Sequence, residues 1–107
     1  MTKVTSLRTS NIMNKVEKHK QICEKLNNIY MTKNHDYGDS FGKMYKELGI
    51  ISAVTRISDK YNRIVSLAKK PKEEQKVLDE SIKDTLLDMA NYAIMTIIEL
   101  EEMEKEV

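Results

Sequence analysis

The chain has 107 residues but only three glycines and one proline. With so little punctuation, long uninterrupted elements are expected. Tryptophan is absent, phenylalanine occurs once, and aromatics amount to 6% of the chain. A core built without them rests on Ile, Leu, Val and seven methionines, and self-association would help to bury it. The single cysteine, Cys23, excludes an internal disulfide and fits a reducing compartment. No apolar run approaches the length of a membrane span, and the N-terminus lacks the apolar centre of a signal peptide. A cytoplasmic protein with no membrane partner is the expectation. A glycine-rich phosphate loop, a Ser-His-Asp set and a dinucleotide fingerprint are also missing.

Length allows one domain around one core. Net charge is +1, which argues against a general nucleic-acid binder, so no direct nucleic-acid contact is expected. The distribution of charge says more. Residues 1–46 carry +5, residues 47–77 carry +3 and residues 78–107 carry −7. The C-terminal stretch should therefore attract metal ions or the basic parts of the same fold.

Residues 1–9 are polar and read as a flexible N-terminus, with a single all-α domain over 10–107. From Thr9 or Ser10 as N-cap, Ile12, Val16, Cys23, Leu26 and Tyr30 recur at helical steps to roughly Thr32. Lys33 to Gly42 reads as a loop, because two glycines, two aspartates, Asn34 and Ser40 fall in it. A short turn over Lys43 to Leu48 follows. The next helix runs from Ile50 to Ala68, with Ile50, Val54, Ile57, Tyr61, Ile64 and Leu67 as its core face. Lys69-Lys70-Pro71-Lys72 ends it, since proline disfavours a helical residue before it. Residues 73–77 form a charged connector. Asp79 is the expected N-cap of a last helix reaching Glu104, whose apolar face is Ile82, Leu86, Met89, Ala93, Ile97 and Leu100. The fold class is all-α: three main helices in an antiparallel bundle, completed by homo-oligomerisation.

Three groups of residues have chemical capacity. Glu80, Asp84, Asp88 and Asn91 share one stripe of the last helix. Carboxylates one turn apart repel and can share one Mg²⁺, which wants oxygen ligands and keeps several waters. The alternative is that these acids pair with Lys and Arg of a neighbouring helix. Arg56, Asp59, Lys60 and Arg63 form a second stripe. Arg and Lys on one face suit phosphate, and Asp59 either orients an arginine or joins the metal. The alternative is a solvated face with local pairs. The third group is His35, Asp36, Tyr37 and Asp39, with Tyr37 suited to stack on a base and the acids to cap helices, bind base edges or hold metal. Its alternative is plain turn chemistry around Gly38. His19 and Cys23 have a zinc-like spacing but no further ligands, so zinc is not expected.

Asn34 to Phe41, Arg56 to Arg63 and Asp79 to Ala93 together resemble the nucleotide modification associated domain 1 family, a small all-helical domain of bacteriophages and bacteria. The resemblance implies a link to nucleotides and, for a phage protein, a place in the host cytoplasm. A weaker similarity extends to the MazG and dimeric dUTPase type of all-α nucleoside triphosphate pyrophosphohydrolases. Those enzymes set two acidic helices around Mg²⁺ and cleave between the α- and β-phosphates. The helix with Asp84 and Asp88 is similar to the second of these. The counterpart of the first has Asp59 as its one acid, beside Arg56, Lys60 and Arg63.

Two functions follow from the resemblance and the stripes. In the first, Glu80, Asp84 and Asp88 are catalytic and hold Mg²⁺ with Asp59. Arg56, Lys60 and Arg63 then take the phosphates of a nucleoside triphosphate, and Tyr37, His35, Asp36, Asp39 and Asn91 complete the substrate site. In the second, the same residues bind a nucleotide, such as a cyclic or ADP-ribose-type defence signal, and release it intact without metal. A helical subunit of a larger nucleotide-modifying complex is a third, less specific reading.

Overall fold

The computed structural model describes residues 2–71 and 75–105, with side chains from Asn14 onward. Four helices and no strand occur among the described residues: α1 (Thr2–Tyr37), α2 (Ser40–Leu48), α3 (Ile50–Ala68) and α4 (Gln75–Lys105). The all-α class is confirmed. None of these helices is long and apolar enough to cross a membrane. The chain divides into two compact units, the first ending at Asp36 and the second beginning at Tyr37.

The first unit is α1. It starts at Thr2, ahead of the expected cap at Thr9 or Ser10, so the helix takes in residues 2–9 as well. It also continues beyond Thr32 to Tyr37. Of the expected apolar stripe, Val16 and Cys23 are exposed, Tyr30 is half-buried and Leu26 is buried. The side chain of Ile12 lies outside the described residues. Local bonds decorate the surface: His19 Nδ1 lies 3.7 Å from Cys23 Sγ, and the Thr32 hydroxyl donates to the carbonyl of Asn28 at 3.1 Å.

In the second unit the expected ten-residue loop shrinks to Gly38 and Asp39. Gly38 has φ of 69°, a left-handed conformation that costs glycine nothing. Asp39 then caps α2 by accepting the backbone N–H of Gly42 at 3.1 Å. The polar residues that suggested a long loop are thus divided between the end of one helix and the cap of the next. Gly49 joins α2 to α3 with φ 74° and ψ −162°, a region reached almost only by glycine. Its N–H donates to the Tyr45 carbonyl at 2.7 Å, and its carbonyl accepts from the Ser52 hydroxyl at 2.8 Å. One residue therefore ends α2 and starts α3.

At the far end, α3 gives way to Lys69, Lys70 and Pro71, and residues 72–74 of the expected connector lie outside the described residues. The last helix begins at Gln75, not at Asp79. Asp79 sits one turn inside it, where its carboxylate accepts from the Gln75 side chain at 2.7 Å.

Helices α3 and α4 form an antiparallel hairpin, and α2 packs on both. The core is small: Phe41, Tyr45 and Ala53 are buried, with Tyr92 and Met95 packed against them. Phe41 and Tyr92 stack with ring centroids 5.9 Å apart and planes inclined by 24°. The expected core faces need correction. On α3, Leu67 is buried and Ile57 and Ile64 are half-buried, but Ile50, Val54 and Tyr61 are exposed. On α4, Ile82 and Met89 are half-buried, whereas Leu86, Ala93, Ile97 and Leu100 are exposed. The side that α3 turns to α4 carries Ala53, Lys60 and Leu67, so the intramolecular seam is rotated away from the most apolar stripe.

Gly42 is buried, and a Cβ there would stand 2.6 Å from Oδ1 of the capping Asp39. Two effects oppose each other at this position. Alanine gains about 1 kcal/mol of helix propensity over glycine, and losing the cap costs about 1 kcal/mol. Gly42→Ala should therefore be close to neutral in the native background and stabilising by about 1 kcal/mol once Asp39→Ala has removed the carboxylate. Urea denaturation of the two single variants and the double variant measures this; equal effects in both backgrounds would refute the coupling.

Candidate functional site

Polar contacts cross the seam between α3 and α4 at three successive levels among the described residues. Arg56 Nη1 lies 3.4 Å from the Tyr92 hydroxyl, Lys60 Nζ lies 3.1 Å from Asp88 Oδ2, and Arg63 Nε donates to Thr85 Oγ1 at 3.3 Å. Residue numbers 56, 60 and 63 rise as 92, 88 and 85 fall by the same steps, which is the signature of antiparallel helices held in one register.

Each contact has its own character. The side chains of Lys60 and Asp88 are 27% and 30% exposed, so this bridge is less screened than a surface pair. Lys60 buries its stem in the seam and keeps its charge at the edge. Thr85 is buried, and its hydroxyl donates to the Ser81 carbonyl at 2.7 Å. With its one proton committed there, its lone pairs face Arg63. Arg56 has a long contact to the Tyr92 hydroxyl and its guanidinium carbon is 5.9 Å from the ring centroid, so it leans on the ring without being locked. Among the described residues the partners of both arginines are hydroxyls, not carboxylates.

Helical steps of about 100° per residue then sort what flanks the seam. On α3, Arg56, Asp59 and Arg63 fall to one side, and Ile50, Val54 and Tyr61 fall to the other. On α4, Asp84, Asp88 and Asn91 fall to one side, and Leu86, Ile97 and Leu100 to the other. Because the helices run in opposite directions, the two polar flanks lie on the same side of the hairpin. The expected negative and positive stripes thus come together along one side, with Asp88 and Lys60 at the centre.

The other expected residues are placed as follows. Glu80, Asp84 and Asp59 are exposed, and Asn91 is half-buried. Tyr37 is 75% exposed, at the entry to the second unit. His35 and Asp36 belong to the first unit, where the imidazole Nδ1 is 3.4 Å from Oδ1 of its neighbour. Asp39 is committed to capping α2. Among the described residues no group of three or more His, Cys, Asp or Glu is placed to hold a metal ion. Asp84 and Asp88 alone are one turn apart, and Asp88 already meets Lys60. Such a pair does not enclose a cation; it suits an ion that keeps its waters and takes its remaining ligands from phosphate.

Thr85 and Tyr92 were not foreseen as members of this site. Their signal is spacing: seven residues separate them, as seven separate Arg63 from Arg56.

A family model described as nucleotide modification associated domain 1 matches residues 33–100. The chain belongs to this family. The family domain takes in the last turn of α1, all of α2 and α3, and α4 as far as Leu100. It therefore contains the whole polar flank, while most of α1 lies outside it. No curated protein and no solved structure matches the chain.

Beside α2, the family domain carries one perturbed acid. Glu99 is half-buried, and its carboxyl titrates above the ordinary 4.5: burial raises it first, then the nearby Asp39, with Glu102 adding and Lys46 opposing. A raised carboxyl binds more protons folded than unfolded, so stability falls as pH rises through this range. The penalty is complete above the folded pKa and absent below the unfolded one. Glu99→Gln should therefore stabilise the protein at neutral pH and make no difference below about pH 4. Denaturant midpoints at several pH values test this, and an unchanged midpoint at pH 7 would contradict it.

Proposed function

We propose that the polar side of the α3–α4 hairpin binds a phosphorylated nucleotide. The observation that carries this reading is the state of Arg56 and Arg63. Arg63 donates to a hydroxyl at the seam and Arg56 leans on one, so the positive charge of neither is cancelled by its partner. They are separated by seven residues, or about 10 Å along the helix. Guanidinium groups at that spacing, each with several donors, suit a ligand bearing more than one phosphate oxygen cluster. Lys60 and Asp88 pair with each other between them. The family description supports a nucleotide as the ligand, and exposed Tyr37 offers a ring for its base.

Binding without turnover, as in sequestering a signalling nucleotide, needs nothing more than this. A second reading is hydrolysis of the MazG type, and it is favoured by Asp84 and Asp88 standing one turn apart beside Arg63. In that case Mg²⁺ would arrive with the nucleotide phosphates, which complete its ligand set. The chain's own part is to hold the polyphosphate through Arg56 and Arg63 and to keep Asp84 next to it.

Arg56→Gln and Arg63→Gln should each weaken nucleotide binding by about tenfold or more, the effect of one lost charge-assisted contact. Calorimetric titration with a panel of mono-, di- and triphosphates checks this, with circular dichroism confirming the fold. Affinities unchanged in both variants would remove the proposed site. Asp84→Asn separates the two readings. A hydrolase should lose turnover and keep its ligand, whereas a purely binding protein should return the nucleotide intact before and after the change.

A further inference from the structure

Threonine within a helix commonly turns its hydroxyl back to the carbonyl one turn earlier. Thr55 does so to Ile51 at 2.8 Å and Thr96 to Tyr92 at 2.6 Å, and neither oxygen meets a basic side chain among the described residues. Thr85 makes the same back bond to Ser81 at 2.7 Å, yet its oxygen also accepts from Arg63 Nε at 3.3 Å. Thr85 is 3% exposed whereas Arg63 is exposed, so a fixed group inside the seam holds a long side chain at its edge.

Which atom of Arg63 is held decides what the rest of it can do. With Nε turned to Thr85, both terminal amino groups stay available, and that end of the guanidinium matches two oxygens of one phosphate. Two carboxylates compete for the same arginine. Asp59 stands one turn before it on α3, and Asp84 precedes Thr85 on α4. Either would cancel its charge, yet among the described residues Arg63 is paired with neither. Arg56 is anchored differently. Its Nη1 meets the Tyr92 hydroxyl at 3.4 Å, and a phenol can donate as well as accept. The Thr85 oxygen can only accept, because its proton is committed to Ser81.

We infer that Thr85 is a positioning residue of the polar side: its hydroxyl holds Arg63 by Nε and sets the terminal amino groups as a preformed fork for one phosphate group. The inference rests on the phosphate-binding reading above and adds to it the group that orders one of its arginines. An arginine already ordered loses less rotamer freedom when an anion arrives. The hydroxyl can be removed without dismantling the helix. The Ser81 carbonyl keeps the N–H of residue 85 one turn on, and valine has the same branched shape as threonine.

The chain has three arginines, so its Nε–H signals are few, and Arg63→Gln identifies the one from Arg63. Heteronuclear NMR of the full chain should show that signal protected from exchange with water in the native protein and in Thr85→Ser, and unprotected in Thr85→Val. Calorimetric titration with inorganic pyrophosphate should find Thr85→Val weaker by about three- to tenfold, the effect of ordering one long side chain on binding. Thr85→Ser should bind as the native chain does, with circular dichroism unchanged in both variants. A Thr85→Val chain that keeps the protected signal, or that matches native affinity, overturns the inference. A loss of affinity that Thr85→Ser does not restore also overturns it, as a packing effect. The phosphate-binding reading is judged separately: it survives where Arg63→Gln weakens binding, whatever Thr85→Val does. Equal affinity in the native and Arg63→Gln chains removes both.

Discussion

The seam of Arg56–Tyr92, Lys60–Asp88 and Arg63–Thr85 is the constraint on which the second unit depends. Hydrophobic contact alone would hold α3 and α4 together in several registers, because sliding an apolar helix by one turn costs little. Directed contacts remove that freedom. A slide by one turn would set Lys60 beside Asp84 and keep a charge pair, but it would part Arg63 from the Thr85 hydroxyl and Arg56 from Tyr92. The three contacts together therefore contribute more to uniqueness than to net stability. Thr85 adds a second directional lock, since its hydroxyl proton is already given to Ser81.

The same seam explains where the small core sits. Among the described residues Ala53 is fully buried, and its small side chain lets α2 approach the hairpin closely. Phe41 and Tyr45 fill the space from α2, and Tyr92 serves two purposes there. One face of its ring meets Phe41, and Arg56 leans on the same residue. Core packing and the positive end of the polar flank are therefore mechanically joined through Tyr92.

The sequence showed the all-α class, the extents of α3 and α4 to within a few residues, and both charged stripes. Periodicity carries that information directly, because residues three and four apart must share a helical face. It did not show which side of each helix faces its own chain. Ile50, Val54 and Tyr61 have the right spacing for a core, yet α4 meets α3 on the neighbouring stripe with Lys60 at its centre. An apolar face must be covered, but spacing cannot say whether the cover is the same chain. The segment from Lys33 to Gly42 was misread for a different reason. Asn, Asp and Gly suit loops, helix ends and caps equally, and here Gly38 and Asp39 alone make the break while Ser40, Phe41 and Gly42 open α2. The acids and bases of the site were legible as types, but Thr85 and Tyr92 were not, because a hydroxyl becomes a functional partner only when a neighbouring helix brings an arginine to it.

A hairpin with one polar and one apolar flank must meet two opposite demands. The apolar flank is stable only when water is excluded from it, and the charged flank only when its groups are hydrated or matched. Placing both kinds of residue on one side would spoil each: carboxylates would penalise a close-packed interface, and bulky aliphatic side chains would crowd a charged ligand. Separation by half a helical turn resolves this with no additional element. It also keeps the two surfaces independent, because anything meeting Arg56 and Arg63 would approach from the opposite direction to anything meeting Val54 and Ile97. What links them is the seam, so any effect of one surface on the other must pass through the register that its contacts hold.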